Sequence, residues 1–176
     1  MGRMQDLDSL VKQFGWKTGV EIGVANGQTL FHLLENNPDL YMTGVDAYDF
    51  SYGKGDKHST GFKQYELEVQ FEVRKQVEEK LTKYKNRASL IVLPSIIAAE
   101  EFKDESLDFV FIDGDHRESF ARADIAVWAP KVKYTGYITG HDWKFSSVER
   151  ALNGMLPGWE STGSIWHIAK KDIDFA

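Results

Sequence analysis

Val20-Glu21-Ile22-Gly23-Val24-Ala25-Asn26-Gly27-Gln28-Thr29 decides how the rest of the chain is read. An apolar run enters a glycine-spaced turn, and the residues after the turn start a helix. That is the form of a first βα turn in an α/β fold, where small residues let the backbone approach a ligand and the helix N-terminus faces it. Taken alone, the stretch also fits a turn with no ligand, because Ala25 stands where the second glycine of G-x-G would be.

The flanking segments keep the same alternation. Upstream, Leu7, Leu10, Val11 and Phe14 share one face of an amphipathic helix over residues 4–14, and residues 17–23 read as a buried strand. Downstream, residues 28–36 form a helix with Leu30, Leu33 and Leu34 inward, broken at Asn36-Asn37-Pro38. Residues 40–45 are a second strand ending in Asp46. Residues 47–61 are polar and glycine-containing and long for a βα connection, so they read as a lid loop. Leu67, Phe71, Val77, Leu81 and Tyr84 mark a long surface helix over 62–84. A third strand over 88–93 leads through Pro94 into a short helix over 95–102. The fourth strand, 107–112, ends in Asp113-Gly114-Asp115-His116 and is followed by a helix over 117–129, stopped at Pro130. The fifth, 134–139, ends in Gly140-His141-Asp142-Trp143. A helix over 146–155 and a last strand over 164–170 complete the pattern. Strands alternating with helices predict a Rossmann-like, doubly wound, mostly parallel sheet flanked by helices on both faces.

At 176 residues with 42% hydrophobic content, the chain suits one sizeable core, so 1–176 is expected to be a single domain. No stretch reaches the roughly 18 apolar residues of a membrane helix, and the first residues lack the apolar core of a signal peptide, so the expectation is cytoplasmic, with no membrane partner. The absence of cysteine removes disulfides and thiolate chemistry. A formal net charge of −6 argues against a nucleic-acid partner, which needs a basic face.

In an open α/β sheet the ligand sits beyond the carboxyl ends of the strands. Asp46 ends the second strand 19 positions after Gly27, where such folds place a carboxylate that accepts hydrogen bonds from ribose hydroxyls. The other reading of Asp46 is a helix cap or loop acid. Asp113 and Asp142 end the fourth and fifth strands, and neighbouring strands would bring them within about 5 Å laterally. Two such carboxylates repel unless protonated, paired or bridged by a cation such as Mg²⁺, Ca²⁺ or Mn²⁺. Equally, one could cap the following helix while the other binds backbone or a ligand amine. His116 and His141 lie beside these acids as a general base or as metal ligands, with His116 the favoured base. His32, His58 and His167 have no comparable setting.

With these residues in view, the chain resembles the class I S-adenosylmethionine-dependent methyltransferases, in the compact group related to macrocin and catechol O-methyltransferases. The resemblance runs from Val20 to about Ile168 and is strongest in Leu107-Asp108-Phe109-Val110-Phe111-Ile112-Asp113-Gly114-Asp115-His116, followed by Asp124, Trp128, Pro130 and Gly140-His141-Asp142. It implies cofactor contacts from Glu21, Gly23, Ala25, Asn26, Gly27 and Thr29, from Asp46 and Ala47 at the ribose, and from Ser95 and Asp113. It also implies that Asp113 and Asp142 match the metal-binding aspartates of cation-dependent members, and it sets His116 where catechol-type enzymes carry a lysine base. The chain departs from the pattern twice. Trp143 occupies the position of the third metal ligand, leaving Asp115, His116 or His141 to complete a shell, and Pro94-Ser95 replaces an acid-Ser pair near the adenine.

The expected function is methyl transfer from S-adenosylmethionine to a small hydroxylated molecule, with Mg²⁺ assistance through Asp113, Asp142 and His141, and with His116 and Asp113 in the catalytic roles. Acceptor specificity is expected from the 48–61 loop, the N-terminal helix or a partner subunit of a homo-oligomer. Two rival readings are a module that binds S-adenosylmethionine or S-adenosylhomocysteine without catalysis, and another nucleotide enzyme such as a short dehydrogenase. The latter lacks a recognisable Tyr-x-x-x-Lys pair.

Overall fold

A computed structural model describes residues 2–48, 67–84 and 86–173. Its helices are α1 (Arg3–Phe14), α2 (Gln28–Asn36), α3 (Leu67–Leu81), α4 (Ser95–Ala98), α5 (Glu118–Trp128) and α6 (Ser146–Met155). Its strands are β1 (Thr18–Ile22), β2 (Tyr41–Val45), β3 (Ala88–Ile91), β4 (Leu107–Ile112), β5 (Val132–Gly140), β6 (Glu160–Thr162) and β7 (Ile165–Ala169). The strands form one sheet in the order β3-β2-β1-β4-β5-β7-β6. The chain winds outward from β1 to β3 and then returns to lay β4 against the free side of β1. Strand order therefore reverses between β1 and β4, and the crevice of a doubly wound sheet opens there.

Side chains along a strand alternate between faces, and the core divides accordingly. Phe109 and Phe111 of β4 pack with Leu7, Leu10 and Val11 of α1, Leu30, Leu33 and Leu34 of α2, and Val77 and Leu81 of α3. Val110 and Ile112 of the same strand face Ile125 and Trp128 of α5 and Val148 and Leu152 of α6. This two-sided burial is why β4 reads as an unbroken apolar run in the sequence.

The sheet is not wholly parallel. β7 runs antiparallel to β5 and to β6; for the β6–β7 pair the reason is that only Gly163 and Ser164 separate the strands, and so short a link can join only antiparallel strands. The sequence reading passes over β6, whose Glu160, Ser161 and Thr162 are all exposed and carry no apolar alternation. Other boundaries shift by a few residues. The third strand stops at Ile91 rather than at 93, the fifth extends over Val132–Gly140, and the helix expected over 95–102 is one α-turn followed by a 3-10 turn, Ala99–Glu101. Most of the expected lid, 49–61, and the start of the helix expected over 62–84 lie outside the described residues. Among the described residues no helix is long and apolar enough to cross a membrane.

Candidate active site

Four strands deliver their first loop residues to one level. Ile22 is in register with Val45 and with Ile112, Val45 with Ile91, and Ile112 with Gly140. Beyond these pairs the ladder continues one step: the backbone N–H of Gly23 donates to Val45 (2.9 Å), Asp46 to Ile91 (3.2 Å), Asp113 to Ile22 (2.9 Å) and His141 to Ile112 (3.1 Å). The condition attached to Asp113 and Asp142, that the fourth and fifth strands be neighbours, holds.

The turn after β1 is built for close approach. Gly23 has φ +88°, and a Cβ there would stand 2.3 Å from the carbonyl oxygen of Asp113. Ala25 adopts a left-handed φ of 48°, doing at some cost what a glycine does freely. Its N–H donates to Asp46 Oδ2 (2.8 Å) and its carbonyl accepts from the Tyr48 hydroxyl (3.0 Å). Asp46 Oδ1 accepts from the Tyr48 N–H (2.7 Å). Asp46 thus braces the turn as a loop acid would, and with Ala25, Tyr48 and Val24 all donating toward it, the carboxylate still has acceptor capacity for a further donor. Gly27 caps α2, Asn26 is exposed, Ala47 is half-buried, and Thr29 is buried with no partner for its hydroxyl among the described residues. Glu21, 2% exposed, accepts the N–H of Leu30 in the first turn of α2, while its Oε2 has no described partner. Burial, then the nearby Asp113, holds the Glu21 carboxyl well above its ordinary range.

At the ends of β4 and β5 acids and imidazoles interleave. His116 Nε2 lies 2.6 Å from Asp142 Oδ2, and His141 Nδ1 lies 3.0 Å from Asp142 Oδ1 and 3.6 Å from Asp113 Oδ1. These are short charge contacts rather than aligned hydrogen bonds, since neither ring nitrogen has a partner in hydrogen-bond geometry. From the other side Arg3 Nη1 donates to Asp113 Oδ2 at 2.5 Å. Burial pushes the Asp113 carboxyl up to about 6 against the pull of Arg3 and His141, with Asp142 adding to the rise. Burial would also raise Asp142, but its contacts with His116 and His141 outweigh this and hold it well below the usual carboxylate range. The contact with Asp142 raises the His116 imidazole above its ordinary value. Asp142 itself has a left-handed φ of 58°, a conformation that costs energy in a residue other than glycine and often marks functional sites.

Asp113, His141 and Asp142 each offer one atom to a group whose members lie within 4.8 Å of one another. Two carboxylates and an imidazole whose Nδ1 lacks an aligned partner fit a small divalent cation. Trp143, at the position of the third ligand in the resembled enzymes, instead packs against the core and Trp159, with ring centroids 5.8 Å apart. Ser95 opens α4. Its hydroxyl accepts from Trp128 Nε1 at 2.8 Å and bonds Asp124, a buried acid that burial pushes up to about 6.

Sequence reasoning misses Arg3 and Tyr48. An arginine opening an amphipathic helix has the signature of a solvated charge, and only the fold reveals that α1 starts beside the end of β4. Tyr48 is singled out only as the start of a loop.

The fold matches known proteins. A candidate caffeoyl-CoA O-methyltransferase from Staphylococcus aureus superposes with a TM-score of 0.65 at 14% identity, covering 95% of this chain and 83% of that one. A candidate O-methyltransferase from Klebsiella pneumoniae gives a TM-score of 0.63 at 15% identity, with 95% and 80% covered. No match is found among curated proteins. The seven-stranded sheet with flanking helices is the class I methyltransferase fold. The methyltransferase-domain family profile matches residues 20–143, across both the glycine turn and the β4 and β5 strand ends, and the chain belongs to that family.

Proposed function

We propose that the protein transfers the methyl group of S-adenosylmethionine to a hydroxyl of a small acceptor, using His116 as the general base. The observation that carries this reading is the convergence at one level of the glycine turn after β1, Asp46 after β2, the Asp113–His116 loop after β4 and His141-Asp142 after β5. The cofactor's nucleoside would take the remaining acceptor capacity of Asp46, and its amino-acid end would lie over Gly23 beside Glu21 and Asp113. The two structural neighbours described as O-methyltransferases favour oxygen as the acceptor atom.

In the transfer the S–CH₃ bond breaks as the O–CH₃ bond forms, and the sulfonium loses its positive charge to become a thioether. His116 takes the hydroxyl proton. Because Nε2 is turned toward Asp142, Nδ1 is the nitrogen that receives it, and Asp142 stabilises the resulting imidazolium. The protein's remaining task is to hold the acceptor oxygen about 3 to 3.5 Å from the methyl carbon, from which much of the rate would come. Mg²⁺ held by Asp113, His141 and Asp142 would add orientation of the acceptor and a lower hydroxyl pKa.

Calorimetric titration with S-adenosylmethionine and S-adenosylhomocysteine, with and without Mg²⁺, followed by a panel of hydroxylated acceptors, tests the reading. Tight binding of both nucleosides with methylation of at least one acceptor is expected. Binding without transfer to any acceptor, at any divalent-cation concentration, would instead select a binding module.

A further inference from the structure

The amino-acid end of S-adenosylmethionine carries an ammonium and a carboxylate, so its binding place needs both signs of charge. The crevice between β1 and β4 has an excess of one sign. The charges of Asp113 and Asp46 both act on Glu21, the Asp113 backbone meets the turn at Gly23, and Asp46 holds the N–H of Ala25 in the same turn. Such a group attracts an ammonium or a sulfonium but repels a carboxylate unless a cation is set among the acids. Arg3 is set there. Its guanidinium is ion-paired with Asp113, and its charge also acts on Glu21.

The arginine is delivered by a fixed platform. Asp6, one turn further along α1, accepts both the N–H and the hydroxyl of Ser164 at 3.0 Å, tying the helix to the β6–β7 turn. Asp8 accepts from Asn37 Nδ2 at 2.7 Å, tying it to the end of α2. Leu7, Leu10 and Val11 are buried beneath it. Among the described residues Asp113 is the ion-pair partner of Arg3, and it engages one terminal nitrogen. The side chain is one-third exposed. A guanidinium presents five N–H donors in a planar fork, so one edge can rest on Asp113 while another stays open to an anion.

We propose that Arg3 is the carboxylate-recognition residue of the cofactor site, its guanidinium seated on Asp113 and taking the α-carboxylate of S-adenosylmethionine while Glu21 faces the ammonium. The assignment rests on the cofactor reading above. It gives α1, outside the span matched by the family profile, a direct part in ligand selection. It also gives the Arg3–Asp113 pair a purpose: Asp113 orients the fork, and the fork offsets the charge that would otherwise repel the ligand.

Three ligands separate the alternatives by calorimetry: S-adenosylhomocysteine, its carboxamide, which keeps the ammonium but loses the anion, and 5′-methylthioadenosine, which lacks the amino-acid end. Wild type is expected to prefer the acid over the amide by roughly 10- to 100-fold, the worth of one charge-assisted contact. Arg3→Gln should abolish that preference and leave 5′-methylthioadenosine affinity within about twofold, which also reports that the variant is folded. Arg3→Lys should restore part of the preference. An undiminished acid-over-amide ratio in Arg3→Gln overturns the assignment, as does a loss shared equally by all three ligands. Wild type binding none of the three would overturn the cofactor reading itself, and this assignment with it.

Discussion

Replacing Gly23 by alanine tests whether the β1 turn and the β4 acid form one rigid unit. The added Cβ would lie 2.3 Å from the carbonyl oxygen and 2.8 Å from the carbonyl carbon of Asp113, where ordinary contact begins at 3.4 Å. About 1 Å must therefore open between the two strand ends, and both partners are backbone, so no rotamer change relieves it. The backbone there also sits at φ +88°, costing an alanine roughly 1 to 2 kcal/mol. With the displacement added, the loss of stability should be about 2 to 4 kcal/mol. Opening the gap strains the 2.9 Å bond from Asp113 N–H to Ile22 and moves the acid that Arg3 rests on. The affinity for S-adenosylhomocysteine should fall by about tenfold or more. Gly15→Ala supplies the control, since Gly15 has φ +67° with no atom within 4 Å of the new Cβ. It should cost only the dihedral term, about 1 kcal/mol, and leave binding unchanged. Urea denaturation and calorimetry read both quantities. If Gly23→Ala matched Gly15→Ala in midpoint and affinity, the close approach of the turn to Asp113 would carry no energetic weight and the reasoning would be wrong.

Asp124 is buried and its folded pKa of about 6 exceeds the ordinary 3.8. Such a group contributes stability below pH 3.8 that is lost as pH rises through about 6, a loss of about 3 kcal/mol. Asp124→Asn, which cannot ionise, should therefore gain on wild type between pH 4 and 7 in urea denaturation; parallel stability curves would contradict this. Asp142→Asn keeps a residue that tolerates the left-handed backbone but removes the charge beside His116. The His116 titration, followed by NMR, should then move from above 6.5 toward 6.5, shifting the rising limb of the pH–rate profile to lower pH, and the plateau rate should fall by about tenfold or more. In wild type the stability that this pair contributes is present below 6.5 and lost as pH rises through the raised His116 value, so an unmoved titration would dissociate the two residues.

What was legible in the sequence is what local pattern controls. β4 announces itself because both of its faces are buried, and the glycine turn because Gly23 and Gly27 occupy left-handed backbone. The strand-end acids Asp46, Asp113 and Asp142 and the histidines His116 and His141 were legible because a parallel sheet places successive carboxyl ends on one edge. Arg3 was illegible for the opposite reason: its partner is Asp113, 110 positions away, and no periodicity links a helix start to a strand end across that distance. The partners of Ser95 were equally hidden: its hydroxyl accepts from Trp128 Nε1 and bonds Asp124, both more than 25 positions away on α5, and no local pattern links them. β6 was missed because three exposed residues held only by their pairing with β7 have no hydrophobic signature.

The acids of the crevice are close in space yet unlike in charge state, and that difference assigns their roles. Asp142 faces two imidazoles and is driven to the ionised form, as a group that orients and stabilises a charged base requires. Asp113, one strand away, is buried enough that burial outweighs Arg3 and His141. Glu21 lies deeper still, and among the described residues the charge of Arg3 and then a helix N–H oppose its burial. Environments that push neighbouring carboxyl groups apart in this way mark which acid does which job. In the proposed reaction Asp142 serves proton transfer with His116, whereas Glu21 and Asp113, held above the ordinary carboxylate range, are short of positive charge. A ligand bringing a sulfonium and an ammonium supplies it, and a ligand bringing a carboxylate as well needs Arg3 where it stands.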